Sequence, residues 1–114
     1  MRGPDQDAVR TLLGVVAFSR ASVPDTNYIV RISDTYVGFT SLTAPRSATL
    51  PPVETYPSGQ PLYVADESGA CGTDFPIIIA AAGAKTIAGQ PNVSMQSPFQ
   101  KAVLHSNGTN LWTL

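Results

Sequence analysis

Short runs of strand-forming residues alternate with turn-forming stretches from Tyr28 to the end of the sequence. Gly, Pro, Asn, Asp and Ser dominate the intervening stretches, and these residues favour turns or interrupt a strand ladder. The runs recur at roughly 8–12-residue spacing, which is typical of sandwiches and barrels. We therefore predict strands in the following segments: Tyr28–Ile32, Tyr36–Thr40, Ala48–Leu50, Leu62–Ala65, Phe75–Ala82, Thr86–Ile87, Val93–Met95 and Lys101–His105.

The end of the sequence predicts a β-hairpin over residues 105–114. Asn107 and Gly108 lie between two strand-like runs, and an Asn-Gly pair readily supplies the positive φ angles of a type I′ turn. Trp112 lies in the returning strand. Together the segments predict an all-β fold, a small antiparallel β-sandwich or prism-like domain over residues 23–114.

Residues 1–22 depart from this pattern, and we interpret them as an N-terminal arm. Apolar residues recur at helical spacing within residues 7–18, which predicts a short helix. Residues 15–18 could equally form a strand. Because the arm is only weakly polar, we expect it to attach the β-domain to another surface.

Low charge is the main feature of the composition. Charged residues make up 13% of the 114 residues, against roughly 25% in typical soluble domains. A domain of this length has a modest core, and its uncharged surface favours self-association. The net charge is −1 and the seven basic residues are scattered, which argues against a nucleic-acid partner. No stretch approaches the roughly 18 apolar residues of a membrane span, so we expect no membrane insertion.

Groups suited to catalysis or metal binding are sparse. One cysteine, Cys71, and one histidine, His105, allow no disulfide within the chain and no zinc site built from Cys and His ligands. Acidic residues fall mostly in turn-like stretches, where solvation explains them. Asp66 with Asp74 is a conceivable glycosidase pair in an accessory of a polysaccharide-degrading enzyme, although spacing alone does not support it. We predict no catalytic residue, no metal site and no cofactor, and therefore no enzyme.

Three tyrosines are candidates for ligand contact. A tyrosine on an exposed strand face offers a sugar both an apolar ring and a polar tip. The candidates are Tyr36, Tyr56 and Tyr63, with core packing as the alternative for each.

Five further stretches carry motifs in a fixed order. They are Ser47–Pro51, Gly59–Gly69 with its Asp-x-Ser-Gly turn, Pro76–Ile79, Thr86–Gly89 with its Thr-Ile-x-Gly turn, and the hairpin His105–Trp112. In this order they resemble a β-rich module of bacteriophage tail fibres, spikes, and head fibre or decoration proteins. The likeness covers residues 28–114, with one departure: Leu111 separates Asn110 from Trp112, which the family often has adjacent.

The resemblance implies a homotrimer on the surface of a virion, assembled in the host bacterial cytoplasm. We expect a head fibre, decoration protein or small spike whose arm attaches to a capsid, collar or tail protein. The low charge independently favours such self-association. The alternative is a glycan-binding host-adsorption module of a tail fibre, with a host surface glycan as its partner.

Overall fold

Ten strands and one short 3-10 helix make up residues 19–114, the part of the chain that this computed structural model describes. The elements are β1 (Arg20–Val23), β2 (Tyr28–Ile29), β3 (Tyr36–Phe39), β4 (Arg46–Thr49), the 3-10 helix (Val53–Thr55), β5 (Pro61–Asp66), β6 (Ile77–Ala80), β7 (Thr86–Ile87), β8 (Asn92–Met95), β9 (Lys101–Ser106) and β10 (Leu111–Thr113). The predicted all-β class is confirmed. Whether residues 7–18 form a helix or a strand lies outside the described residues.

The chain winds between two packed sheets. Sheet A has the order β1-β3-β5-β9-β10-β7, and sheet B has the order β2-β4-β6-β8. The first six strands alternate between the sheets, so neighbours within a sheet run parallel and the strand in the opposite sheet provides the crossover. Only β8, β9 and β10 add antiparallel pairs. The predicted two-sheet arrangement is present, but its pairing is mixed instead of antiparallel throughout.

The β-domain begins earlier than residue 23. β1 pairs in parallel with β3, from Arg20 opposite Tyr36 to Val23 opposite Phe39. It therefore lies across the boundary that we predicted between an arm of residues 1–22 and the domain. β1 is short and half polar, and it supplies the edge of sheet A.

Alternate residues of each strand enter one core between the sheets. Residues at successive positions point to opposite faces of a strand, so one apolar side chain in two is buried, and the intervening one is on an outer face. The largest buried side chains include Trp112, Tyr56, Phe39, Leu62, Ile77, Ile79 and Leu104. Each such side chain stabilises the fold by roughly 1.5–3 kcal/mol relative to exposure.

The predicted C-terminal hairpin is present, with a different turn. β9 and β10 pair antiparallel, and Trp112 opposite Ser106 faces the core. Gly108 has a positive φ of 80°, but Asn107 does not, so the turn is not type I′. Asn107 instead closes a longer loop through its side-chain oxygen, which accepts backbone N–H bonds from Thr109 (2.9 Å) and, in the same way, the two following residues. Side-chain capping of this kind replaces the backbone geometry that an Asn-Gly pair predicts.

The carboxylate of Asp66 fastens the turn after β5 to the loop before β9. It is buried and accepts five hydrogen bonds: from the N–H groups of Ser68 (2.9 Å), Gly69 (3.1 Å), Cys71 (3.2 Å) and Phe99 (3.0 Å), and from the Ser68 hydroxyl (2.6 Å). Burial disfavours the charged form, but the hydrogen bonds outweigh it and lower the pKa of Asp66.

Gly69 allows the two loops to meet. It has a φ of 78°, and a Cβ there would lie 2.6 Å from the ring of Phe99. Phe99 itself has a φ of 57°, which a non-glycine residue rarely adopts. The bond from its N–H to Asp66 helps to hold this conformation.

We predict that Asp66→Asn lowers the free energy of unfolding by about 3 kcal/mol at neutral pH, because the amide leaves buried N–H donors unpaired. The pKa is lower in the folded state, so the carboxylate stabilises the fold above the unfolded value of 3.8 and loses this effect as the pH falls through the folded value. Urea unfolding from pH 7 to pH 2 should therefore show the two proteins converging in acid. The exposed Asp74 gives a control, Asp74→Asn, with an expected change within about 0.5 kcal/mol. Equal stabilities of wild type and Asp66→Asn at pH 7 would contradict this role.

Candidate functional site

Tyr36 and Tyr63 form an aromatic pair on the outer face of sheet A. They lie directly opposite each other on the parallel strands β3 and β5. Val37 and Val64, the next residue on each strand, point into the core, so the tyrosines point outward. The ring centroids are 6.0 Å apart and the ring planes differ by 30°. Both side chains are half-buried, and stacked aromatic pairs of this kind stabilise a sheet surface.

Two cations and one carboxylate surround the pair. The guanidinium of Arg20 lies 5.9 Å from the Tyr36 ring centroid and forms an ion pair with Glu67. The ammonium of Lys101 lies 5.9 Å from the centroid of Tyr36 and 5.6 Å from that of Tyr63. Cations at these distances are attracted by the ring quadrupoles. We call these five residues the tyrosine face.

Gly38 leaves the space on the outer face of β3 that the Glu67 carboxylate occupies. A Cβ at residue 38 would lie 2.5 Å from a carboxylate oxygen of Glu67. The absence of that Cβ lets the carboxylate fold back over the outer face of β3 and reach Arg20. A glycine within a strand run is the sequence signal for such a close approach, and our sequence analysis did not use it.

The environment of Tyr36 raises the pKa of its hydroxyl. Burial is the main cause, and the neighbouring Glu67 carboxylate adds to it because it disfavours a second negative charge. Arg20 acts in the opposite direction. The ordinary value is 10.0, so Tyr36 remains neutral at physiological pH and offers a hydroxyl donor.

Tyr56, the third predicted ligand contact, lies in the core and not on this face. Its side chain is only 2% exposed, and its ring packs 5.4 Å from that of Trp112. Its hydroxyl donates a 2.6 Å hydrogen bond to the backbone carbonyl of Asp34. Tyr56 follows the 3-10 helix and belongs to no strand, so strand alternation could not place it.

The other residues considered for chemistry are dispersed. Asp66 is occupied by its five hydrogen bonds, whereas Asp74 is exposed. The buried thiol of Cys71 donates to the carbonyl of Met95 over 3.1 Å, and burial raises its pKa. His105 lies half-buried on the outer face of sheet A. Within residues 19–114, no three His, Cys, Asp or Glu side chains converge as metal ligands.

The outer face of sheet B differs sharply in chemistry from the tyrosine face. The outward positions of its four strands carry only aliphatic, hydroxyl and amide side chains: Ile29, Ser47, Thr49, Ile78, Ala80, Asn92 and Ser94. We call these residues the neutral face. Ile29 is 75% exposed, more than any other large apolar side chain of residues 19–114.

Comparisons with known proteins identify no relative of this chain. The chain matches no protein-family model, and neither the curated proteins nor the solved structures show significant similarity to it. No helix within the described part of the chain is long and apolar enough to cross a membrane.

We predict that Glu67→Gln lowers the pKa of Tyr36, because it removes the negative charge next to the hydroxyl. An NMR titration of the tyrosine ring carbons measures this directly. Glu54→Gln, on the 3-10 helix, is the matched control and should leave Tyr36 unchanged. A Tyr36 pKa that does not respond to Glu67→Gln would argue against the described contact.

Proposed function

We propose that this chain is a structural protein of a bacteriophage virion, which forms a trimeric surface projection such as a head fibre, decoration protein or small spike. The observation that carries the proposal is the contrast between its two outer faces. The neutral face has no charged side chain at any outward position of its four strands, and Arg46 of β4 lies on the opposite side, paired with Asp25, whereas the tyrosine face carries Arg20, Glu67 and Lys101. The motifs that resemble phage fibre modules supply the phage assignment.

A charge-free sheet face suits contact with copies of itself. Burial of an unpaired charge costs several kcal/mol, and identical faces that carry charge would also repel each other. Hydroxyl and amide groups such as those of Ser47, Thr49 and Ser94 can hydrogen-bond across a symmetry axis, and Ile29 and Ile78 add apolar contact. The neutral faces of three subunits would then pack around a threefold axis.

This arrangement leaves the tyrosine face on the outside of the trimer. Its charges are compatible with water, since Arg20 is paired with Glu67 and Lys101 is exposed. The segment that precedes β1 would join the projection to a capsid, collar or tail protein. The protein would be assembled in the host bacterial cytoplasm and displayed on the virion surface.

We predict that the purified chain is a trimer by light scattering. Three chains of 12.0 kDa give a mass of about 36 kDa. Ile78→Lys places a charge at the centre of the neutral face and should yield a monomer, because the outward position preserves the core. Thr113→Lys adds the same charge on the outer face of sheet A and should leave the trimer intact. A wild-type monomer would overturn the proposed trimer, and cosedimentation with particles of the encoding phage would test the virion assignment separately.

A second candidate function, glycan binding in host adsorption, is favoured by the tyrosine pair. Tyr36 and Tyr63 lie half-buried on the outer face of sheet A, with the Lys101 ammonium within 6 Å of both ring centroids. Sugars are recognised by aromatic surfaces together with a few polar groups. The outer face of sheet A offers both the aromatic rings and the polar groups, on the neighbouring strands β3, β5 and β9.

The glycan hypothesis predicts binding that depends on the tyrosine pair. On an array of bacterial surface glycans, wild-type protein should bind and Tyr63→Ala should lose at least tenfold in affinity, while Thr113→Ala on the same sheet face should bind normally. Thermal unfolding checks that each variant is folded. Absence of binding by the wild type would remove this candidate and leave the structural role alone.

A further inference from the structure

An open cleft lies beside the edge of sheet B. It lies between β8 and β9, where sheet B ends and sheet A continues with β10 and β7. Its volume is about 350 Å³. The lining is mainly apolar, with Gln100, Lys101 and Ser94 as its polar members, and the rest are Val93, Met95, Ala102, Val103 and Leu114.

β8 is an unprotected edge strand within residues 19–114. It pairs with β6 on one side, and no described strand pairs with its other side. Edge strands are normally protected by charged side chains, an internal proline or a bulge, and Asn92–Met95 contains no charge and no proline. An apolar cleft next to unpaired backbone groups is the arrangement that accepts an added strand.

The neutral face alone is too small for a stable subunit interface. Three strands of four residues and one of two, about 4.8 Å apart with about 3.3 Å per residue, give roughly 220 Å². Stable interfaces bury about 800 Å² on each partner. A trimer built on the neutral face therefore needs a second contact, and the cleft adjoins the neutral face along β8.

Residues 1–18 have the composition and length for this contact. Their sequence holds an apolar stretch at residues 12–18, preceded by two acids and two arginines that balance in charge. The apolar stretch matches the mainly apolar lining of the cleft. Fully extended, 18 residues reach about 60 Å, which exceeds the longest dimension of the domain, 48 Å, so the segment is long enough to reach a neighbouring subunit.

We infer that residues 1–18 of one subunit bind in the cleft beside β8 of a neighbouring subunit and extend its sheet B by one strand. The inference rests on the proposed trimer. Such an exchange is a heterologous contact, and it closes into a ring once every arm has found the next subunit's cleft. In the proposed virion protein, the same segment would then fix the subunits to each other as well as lead towards the attachment site.

Crosslinking between subunits tests where the segment binds. Full-length Val16→Cys is mixed, in separate samples, with full-length Val93→Cys, Ile29→Cys or Thr113→Cys, and treated with a short bismaleimide. Val93 lines the cleft, Ile29 lies on the opposite edge strand of sheet B, and Thr113 is an exposed control on sheet A. We expect a covalent dimer between Val16→Cys and Val93→Cys at a yield at least tenfold above the other two. The buried Cys71 is present in every sample and sets the background.

A second pair of variants measures the contribution of the cleft to assembly. Val103→Lys places a charge in the cleft from the outward side of β9 and should raise the concentration needed for trimer formation at least tenfold. Thr113→Lys, on the outer face of sheet A and outside the cleft, should leave that concentration unchanged. A wild-type trimer with no crosslink to Val93, or with its main crosslink to Ile29, overturns the inference and retains the trimer. A wild-type monomer overturns both the inference and the trimer.

Discussion

The structure depends on the requirement that each of the first six strands give one face to a core shared by both sheets. Because side chains alternate along a strand, the register that buries Val37 and Val64 also places Tyr36 and Tyr63 side by side on the outside. A shift of one residue in β5 would bury Tyr63 and expose Val64. The aromatic pair is therefore a direct consequence of the packing of the core.

Aspartates hold the crossovers that this winding needs. Asp25, between β1 and β2, binds the guanidinium of Arg46 on β4 over 2.9 Å, and this contact is the main reason that its pKa is lowered. Asp34, between β2 and β3, is fully buried and accepts a 2.6 Å hydrogen bond from the hydroxyl of Tyr28. Asp66, after β5, likewise joins two loops, because its carboxylate accepts a hydrogen bond from the N–H of Phe99. Parallel strands lack tight hairpins, so these side chains replace the local hydrogen bonds that a hairpin would supply.

Most strands could be predicted from the sequence because their residues are β-branched or aromatic and are bounded by turn residues. β1 was missed because Arg20 and Ser22 make its pattern half polar, and its pairing with β3 is parallel and distant. The order of strands depends on such long-range pairing, which no local pattern encodes. The candidate site likewise combines residues that a local strand pattern can place with residues that it cannot. Two of the three candidate tyrosines lie on strands and face outward as alternation predicts, whereas Tyr56 leaves the pattern and enters the core.

The low charge of this chain is concentrated on one surface. If the whole surface were weakly charged to the same degree, the outer faces of both sheets would carry similar numbers of charged side chains. Instead the outer face of sheet A carries Arg20, Glu67 and Lys101, and that of sheet B carries none. β8 belongs to the charge-free surface through Asn92 and to the adjoining apolar cleft through Val93. A partner that lies along this edge strand would meet backbone hydrogen-bonding groups, an apolar cleft and a charge-free face at once, and this continuity is why we place subunit contact on sheet B.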